Sequence, residues 1–258
     1  MRMFNPDGGE AEMCGNGLRC VGRYCSERLM KQEVTVETMK SVLSVKHGKQ
    51  IYRGIETFEA EIGPVSMLPS SLPMSVDTTS FKGEMIEELS SSLRFTALSV
   101  PNPHIVAIVD EIEESVVEQC GIQANNSHLF PNGVNVSFLK PLGKNSIFVV
   151  TYERGVGITY SCGTAMSASA YVSALHGISE YGESISVYNK GGMVECGVDK
   201  NSGNNILLKG NATFVFEAEI EINKDYGTIG RQYERKVRLD EISAYGFLQD
   251  YAESILRK

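Results

Sequence analysis

Two cysteines in this chain stand where a thiol can do chemistry. Cys14-Gly15-Asn16-Gly17 and Cys162-Gly163-Thr164-Ala165 each open a stretch with helical apolar spacing, running through Leu29 and Leu175. A cysteine at a helix start lies beside backbone N–H groups that have no intrahelical partner, at the positive end of the helix dipole. Both effects favour thiolate over thiol. The glycine that follows lets a ligand come close to the backbone, as an anion-binding helix start requires. Two such starts could grip one α-carboxylate from both sides and set one sulfur on each face of the α-carbon. Inversion of a stereocentre by proton transfer needs that arrangement, with a base on one face and an acid on the other. The helix N–H groups would spread the carbanion-like charge of the transition state in a dry cleft.

A lone buried cysteine is ordinarily a small hydrophobe, and Cys20, Cys25, Cys120 and Cys196 are read that way. Cys14 and Cys162 stand apart because their context repeats. Each follows a Gly-bearing turn with acidic residues, Asp7-Gly8-Gly9-Glu10 or Glu153-Arg154-Gly155-Val156-Gly157. Each helix is followed by strands, Val34–Thr38 in one case and Ile185–Tyr188 in the other. The same unit therefore occurs twice, with its cysteines 148 positions apart. Two similar domains facing one another are expected.

Around these units the chain reads as strand-rich. Ser44–Val45, Phe58–Ile62, Ala97–Val100, Ile105–Val109, Val134–Leu139 and Ser146–Tyr152 have strand patterning. Leu207–Ile222 reads as mostly strand, and Leu239–Arg257 as a C-terminal helix. A Ser- and Pro-rich stretch, Pro64–Ser92, is the expected boundary, with Glu84–Leu93 forming a short helix at its end. The expected division is 1–66, 67–211 and 212–258, the boundary falling within about 64–95 and the last part being a return strand and helical extension. Met1–Phe4 reads as the interior of a strand running into the Asn5–Gly9 turn, as though an upstream portion of the first domain were missing.

Composition narrows the function classes. A net charge of −8 argues against a general nucleic-acid partner. No apolar run is long enough to span a bilayer, and the N-terminus lacks a basic-then-apolar signal pattern. Six cysteines are too sparse for a disulfide-stapled chain of this size. The gaps of six and five between Cys14, Cys20 and Cys25 miss the short paired spacing of a zinc site. No glycine-rich phosphate fingerprint and no metal-ligand spacing are present. A cytoplasmic protein whose chemistry needs no cofactor and no metal is the expectation.

At Asn5-Pro6-Asp7-Gly8-Gly9-Glu10-Ala11-Glu12-Met13-Cys14-Gly15-Asn16-Gly17-Leu18-Arg19-Cys20 and at Glu153–Thr164 the sequence resembles the diaminopimelate epimerases, a family of PLP-independent amino-acid epimerases. Asn102-Pro103-His104 and Gly133-Val134-Asn135-Val136 match two further family motifs in order, and the likeness extends to about Ile222. The resemblance implies an α/β (α+β) fold of two similar domains, each a β-barrel-like mixed sheet around a central helix, with the active site in the cleft between them. It implies an isomerase that interconverts L,L- and meso-diaminopimelate for lysine and peptidoglycan precursors, and it admits a homodimer. By the same resemblance Cys14 and Cys162 are the acid/base pair, flanked by His104 and Glu153. Asn5, Asn102 and Asn135 hold the distal amino-acid group. Glu153 and Arg154 contact the substrate ends, while Gly15, Asn16, Gly163 and Thr164 supply helix-start donors. Two positions depart from the family pattern: Ala165 where Gly is common, and Ile158 where Glu is frequent. The family's opening strand and helix, with a Gly- and Asn-containing motif, have no counterpart here.

A proline or hydroxyproline racemase shares the two-thiol logic, but a cyclic substrate has no use for Asn5, Asn102, Asn135 and Arg154 together. A non-catalytic amino-acid-binding relative would need neither cysteine. A thiol hydrolase or transferase would pair one cysteine with one histidine, and no histidine is near either cysteine in sequence.

Overall fold

The computed structural model describes residues 1–4, 8, 10, 13–39, 41–199, 205–225 and 227–256. The first unit is a helix laid on a three-stranded meander. Helix α1 (Gly15–Leu29) starts at Cys14 and ends where Met30 turns left-handed at φ 53°. Strands β1 (Glu33–Glu37), β2 (Val42–His47) and β3 (Thr57–Ile62) run antiparallel in sequence order. Val34, Val36, Leu43 and Val45 alternate with exposed residues and present one apolar face to Leu18 and Val21 of α1.

The helix reaches that sheet through Gly22. A Cβ at this position would stand 2.3 Å from Val45 Cγ1 and 2.8 Å from Val45 Cβ, and Val45 is wholly buried. Gly22→Ala is expected to destabilise the fold. Overpacking of about 1–3 kcal/mol should outweigh the roughly 1 kcal/mol that alanine returns in helix propensity. Chemical denaturation checks this, and an unchanged or raised midpoint would contradict the close contact.

The second unit is larger. Strand β4 (Glu84–Met85) pairs with β5 (Arg94–Val100), and β5 with β6 (Asn102–Ile108). Helix α2 (Glu114–Asn126) then leads to β7 (Asn135–Gly143), β8 (Ser146–Glu153) and the short β9 (Gly157–Thr159). Helix α3 (Gly163–Leu175) follows, then β10 (Ser184–Asn189), β11 (Gly192–Val198) and β12 (Ile206–Asn211). One sheet runs through both units in the order β1-β2-β3-β12-β11-β10-β8-β7-β6-β5-β4, with β9 on β8. The junction is the antiparallel β3–β12 pair, from Thr57↔Asn211 to Ile62↔Ile206. The β6–β7 and β8–β10 pairs are parallel.

The larger sheet wraps α3, which is buried nearly all round. The small residues Ala165, Ser167, Ala168, Ser169 and Ala170 let strands approach from several sides, and Ser167 and Ser173 return their hydroxyls to helix carbonyls. One core lies around α1 and α3. A second lies on the outer side of the sheet under α2 and the C-terminal helix α4 (Leu239–Leu256). Arg23 of α1 holds the first turn of α4 with a forked bond to Glu241, at 2.5 and 2.9 Å.

Three expectations change. Glu84–Leu93 is not a helix: Glu84–Met85 joins β5, and the residues after it form turns. The Ser90 hydroxyl accepts from the N–H groups of Ser92 and Leu93, which competes with helix bonding. Leu207–Ile222 divides in two, since the strand that reaches β3 ends at Asn211. Strand β13 (Phe216–Asn223) instead forms a separate hairpin with β14 (Thr228–Val237). Among the described residues, Met1–Phe4 forms no strand and contributes an isolated bridge between Phe4 and Glu10.

Candidate active site

The two cysteine-capped helices meet at their N-termini. A Cβ on Gly15 would lie 3.7 Å from Gly163 Cα, and one on Gly163 would lie 3.5 Å from Gly15 Cα and 3.2 Å from Leu208 Cδ2. Both positions therefore use the small size of glycine, as the Cys-Gly repeat implies. Across this junction the Asn16 side-chain amide donates to the carbonyl of Ser161 and, at 3.0 Å, to its hydroxyl. Cys14 and Cys162 are the N-cap residues of α1 and α3, each with extended backbone. Both are free thiols.

Their surroundings differ. Cys14 is half-buried, and its Sγ accepts the Gly17 N–H at 3.3 Å. Cys162 is buried, with the Thr164 hydroxyl 3.5 Å from Sγ. Burial pushes the Cys162 thiol well above the usual thiol range, and the charge of Glu153 pushes it further. The Thr164 hydroxyl and the Ala165 N–H pull only part of the way back. The expectation that a helix start lowers the pKa fails for this cysteine, because desolvation outweighs the few N–H groups that favour the anion. As folded here, the Cys162 thiol keeps its proton.

The polar residues around Cys162 come from neighbouring strand ends. His104 of β6 is in register with Asn135 of β7. The β7–β8 ladder begins with Val136 opposite Tyr152, so Asn135 and Glu153 stand next to each other at its end. Two-residue periodicity puts Asn102 on the same face as His104. Asn102 donates to Thr164 Oγ1 at 3.1 Å, and its Oδ1 is 3.0 Å from His104 Nε2. Because an amide oxygen only accepts, Nε2 carries the imidazole proton and Nδ1 presents a lone pair. Nδ1 has no hydrogen-bond partner among the described residues, and the ring is wholly buried. Burial, with the Arg154 charge adding to it, holds the His104 pKa down at about 3. The ring is therefore neutral at ordinary pH. Asn135 Oδ1 accepts the Arg154 backbone N–H at 3.0 Å, while the Arg154 guanidinium donates to the Asn132 carbonyl at 2.8 Å. Thr159 donates its hydroxyl to Glu153.

Gly15, Asn16, Asn102, His104, Asn135, Glu153, Arg154, Gly163 and Thr164 thus gather at or beside the junction of the two helices. Asn5 lies outside the described residues. Ala165 sits buried in the first turn of α3, and Ile158 pairs with Tyr152 and packs on the outer core. Arg19, Thr159 and Ser161 join the site without having been named among the expected site residues. Arg19 had a signal, since it lies three and four residues after Asn16 and Gly15 on a helix. Among the described residues no cluster of His, Cys, Asp and Glu could hold a metal ion, and no helix is long and apolar enough to cross a membrane.

The diaminopimelate epimerase family model matches residues 1–63 and 96–215. The chain is 46% identical over 227 residues to a diaminopimelate epimerase of Clostridium acetobutylicum, covering 87% of this chain and 68% of the relative. It is 38% identical over 263 residues to one of Enterococcus faecalis, covering 100% and 79%. For one of Listeria monocytogenes serovar 1/2a the identity is 41% over 230 residues, covering 87% and 70%. Two solved structures share the fold. One is a phenazine biosynthesis protein of the PhzF family from Bacillus anthracis, with TM-score 0.55 and 17% identity over 82% of this chain and 76% of that one. The other is described as a "Predicted Epimerase" from Pseudomonas aeruginosa, with TM-score 0.57 and 13% identity over 92% and 78%.

Proposed function

Because the chain belongs to the diaminopimelate epimerase family, we propose that it interconverts L,L- and meso-diaminopimelate by proton transfer between two thiols, with no cofactor. The observation that carries this reading is the meeting of the two Cys-capped helices at Gly15 and Gly163. In this reading the α-carboxylate lies against the first N–H groups of both helices, whose dipoles offset the charge that builds up as the α-proton leaves. Cys14 takes the proton from one face and Cys162, already protonated, returns one to the other. The reverse reaction exchanges these roles. His104, kept neutral, offers the Nδ1 lone pair to the substrate ammonium, and Glu153 adds a negative charge on that side. Asn5, Asn102, Asn135 and Arg154 hold the distal end. The product serves lysine and peptidoglycan precursors, and the proposal includes a cytoplasmic homodimer.

Substrate choice tests the distal assignments. Asn102→Ala is expected to raise KM for diaminopimelate more than it lowers kcat, by about 1–3 kcal/mol for each buried hydrogen bond lost. Asn135→Ala and Arg154→Ala should act in the same direction. If all three variants discriminated between diaminopimelate, proline and simple amino acids as the wild type does, the distal assignments would be wrong.

A further inference from the structure

Arg19 is 3% exposed, yet it lies one turn into α1, beside the junction of the two helices. Its guanidinium spreads over three acceptors. Nε donates to the Asn211 carbonyl at 3.0 Å, and one terminal nitrogen donates to the Gly15 carbonyl at 3.3 Å. The other donates to Asn16 Oδ1 at 2.9 Å. The acceptors come from two parts of the chain, the end of β12 and the first two residues of α1. Asn211 ends β12, the strand that joins the two units; Gly15 follows the first cysteine; Asn16 spans to the second helix. With Oδ1 held by a cation that can only donate, the Asn16 amide has a single orientation, its NH2 facing Ser161. Ser161 is the residue before Cys162. A continuous chain of contacts therefore runs from Asn211 through Arg19 and Asn16 to the turn that carries the second thiol.

We propose that Arg19 is a positioning residue which, through Asn16, fixes how the Cys14 and Cys162 thiols face each other. The guanidinium suits this role because its planar fork reaches several acceptors at set angles, which a lysine ammonium cannot do. The acceptors are neutral, so the group contributes geometry rather than an ion pair. Burial penalises its charge, and the nearby cysteines Cys14, Cys20 and Cys196 act in the opposite sense. The inference rests on the two-thiol reading for its catalytic meaning, but the geometry it predicts can be read without turnover.

The test uses the whole chain and its Arg19→Gln, Arg19→Lys and Asn16→Ala variants, each checked for folding by circular dichroism and thermal melting. The first readout is bridging of the two thiols by dibromobimane, a short bis-alkylating reagent, with the bridge located by peptide mapping. Wild type should give the Cys14–Cys162 bridge. All three variants should give at least tenfold less bridge relative to single alkylation. The second readout is the ratio of α-deuterium exchange to inversion for diaminopimelate in D2O. Misaligned thiols should raise that ratio at least threefold, whereas simple loss of folded protein lowers both rates together. Should Arg19→Gln fail to fold, Asn16→Ala decides, since it removes the span and leaves the two carbonyl contacts. Wild-type bridging and ratio in folded Asn16→Ala would overturn the proposal, as would full restoration by Arg19→Lys. A wild type that bridges its thiols but never inverts diaminopimelate would sink the epimerase reading and leave the clamp standing.

Discussion

Replacing either thiol, Cys14→Ala or Cys162→Ala, is expected to lower inversion of diaminopimelate by roughly 10²–10⁴-fold, the usual weight of a positioned acid or base. The expectation is symmetric because inversion needs both faces in every turnover. Neither neighbour can substitute. Glu153 is engaged by Thr159, and His104 has its proton committed to Asn102 and lies within the second unit, beside Cys162 rather than opposite it. Binding should persist, because the N–H groups of the helix starts belong to the backbone. Titration of each variant with diaminopimelate should therefore give an affinity near the wild-type value while turnover collapses. Retained turnover in Cys14→Ala or Cys162→Ala would remove the acid/base assignment.

The next-largest effect is on stability in acid. His104 is wholly buried, with its pKa held at about 3 against an ordinary value of 6.5. The unfolded chain therefore takes up a proton on this ring below pH 6.5, while the folded protein refuses it until about pH 3. The unfolded state binds more protons across that window, so stability falls as pH falls, by up to about 1.4 kcal/mol per unit from this one group. Between pH 6.5 and 5 that amounts to roughly 2 kcal/mol. Carboxylates titrate in the same range, so the informative quantity is the difference between wild type and His104→Gln. Urea unfolding at several pH values should show the two curves converging as pH falls, the wild type losing stability faster. Parallel curves would mean that His104 titrates normally and is not sealed from water.

The helices that carry the thiols were legible in the sequence to the residue: apolar spacing ran to Leu29 and Leu175, where α1 and α3 end. The Cys-Gly pairs marked their starts because N-cap and close-approach requirements both act locally. Helix α2 went unread because its buried stripe is narrow, Val117, Cys120, Gly121 and Ala124, and holds a glycine. That glycine is a tertiary feature, since a Cβ there would stand 2.1 Å from Tyr152 Cγ. Three consecutive serines after Leu89 undid the expected helix at Glu84–Leu93, a case of side chains competing for backbone groups. Strand β14 carried no apolar alternation, being paired only with β13.

The same division holds at the site. Asn102, His104, Asn135 and Glu153 were named as motif residues, and the β6–β7 and β7–β8 ladders that bring their strands together could not be read from spacing. The direction of the Cys162 shift was misjudged because a local rule, the helix start, was applied without the burial that only packing reveals. Arg19 went unassigned for a related reason. Two of its partners lie within its own helix, but the third, Asn211, is 192 residues away.

In the proposed reaction one carbon is inverted between two thiols, and proton traffic at low conversion tests this. The chain is incubated with L,L-diaminopimelate in D2O, and deuterium at the α-carbon is measured separately in the meso product and the recovered substrate. A two-thiol mechanism predicts that meso product forms with solvent deuterium at the inverted centre while the recovered L,L isomer stays largely protiated, since the returning proton comes from the opposite face. Binding of diaminopimelate with no α-deuterium in either isomer would contradict the account.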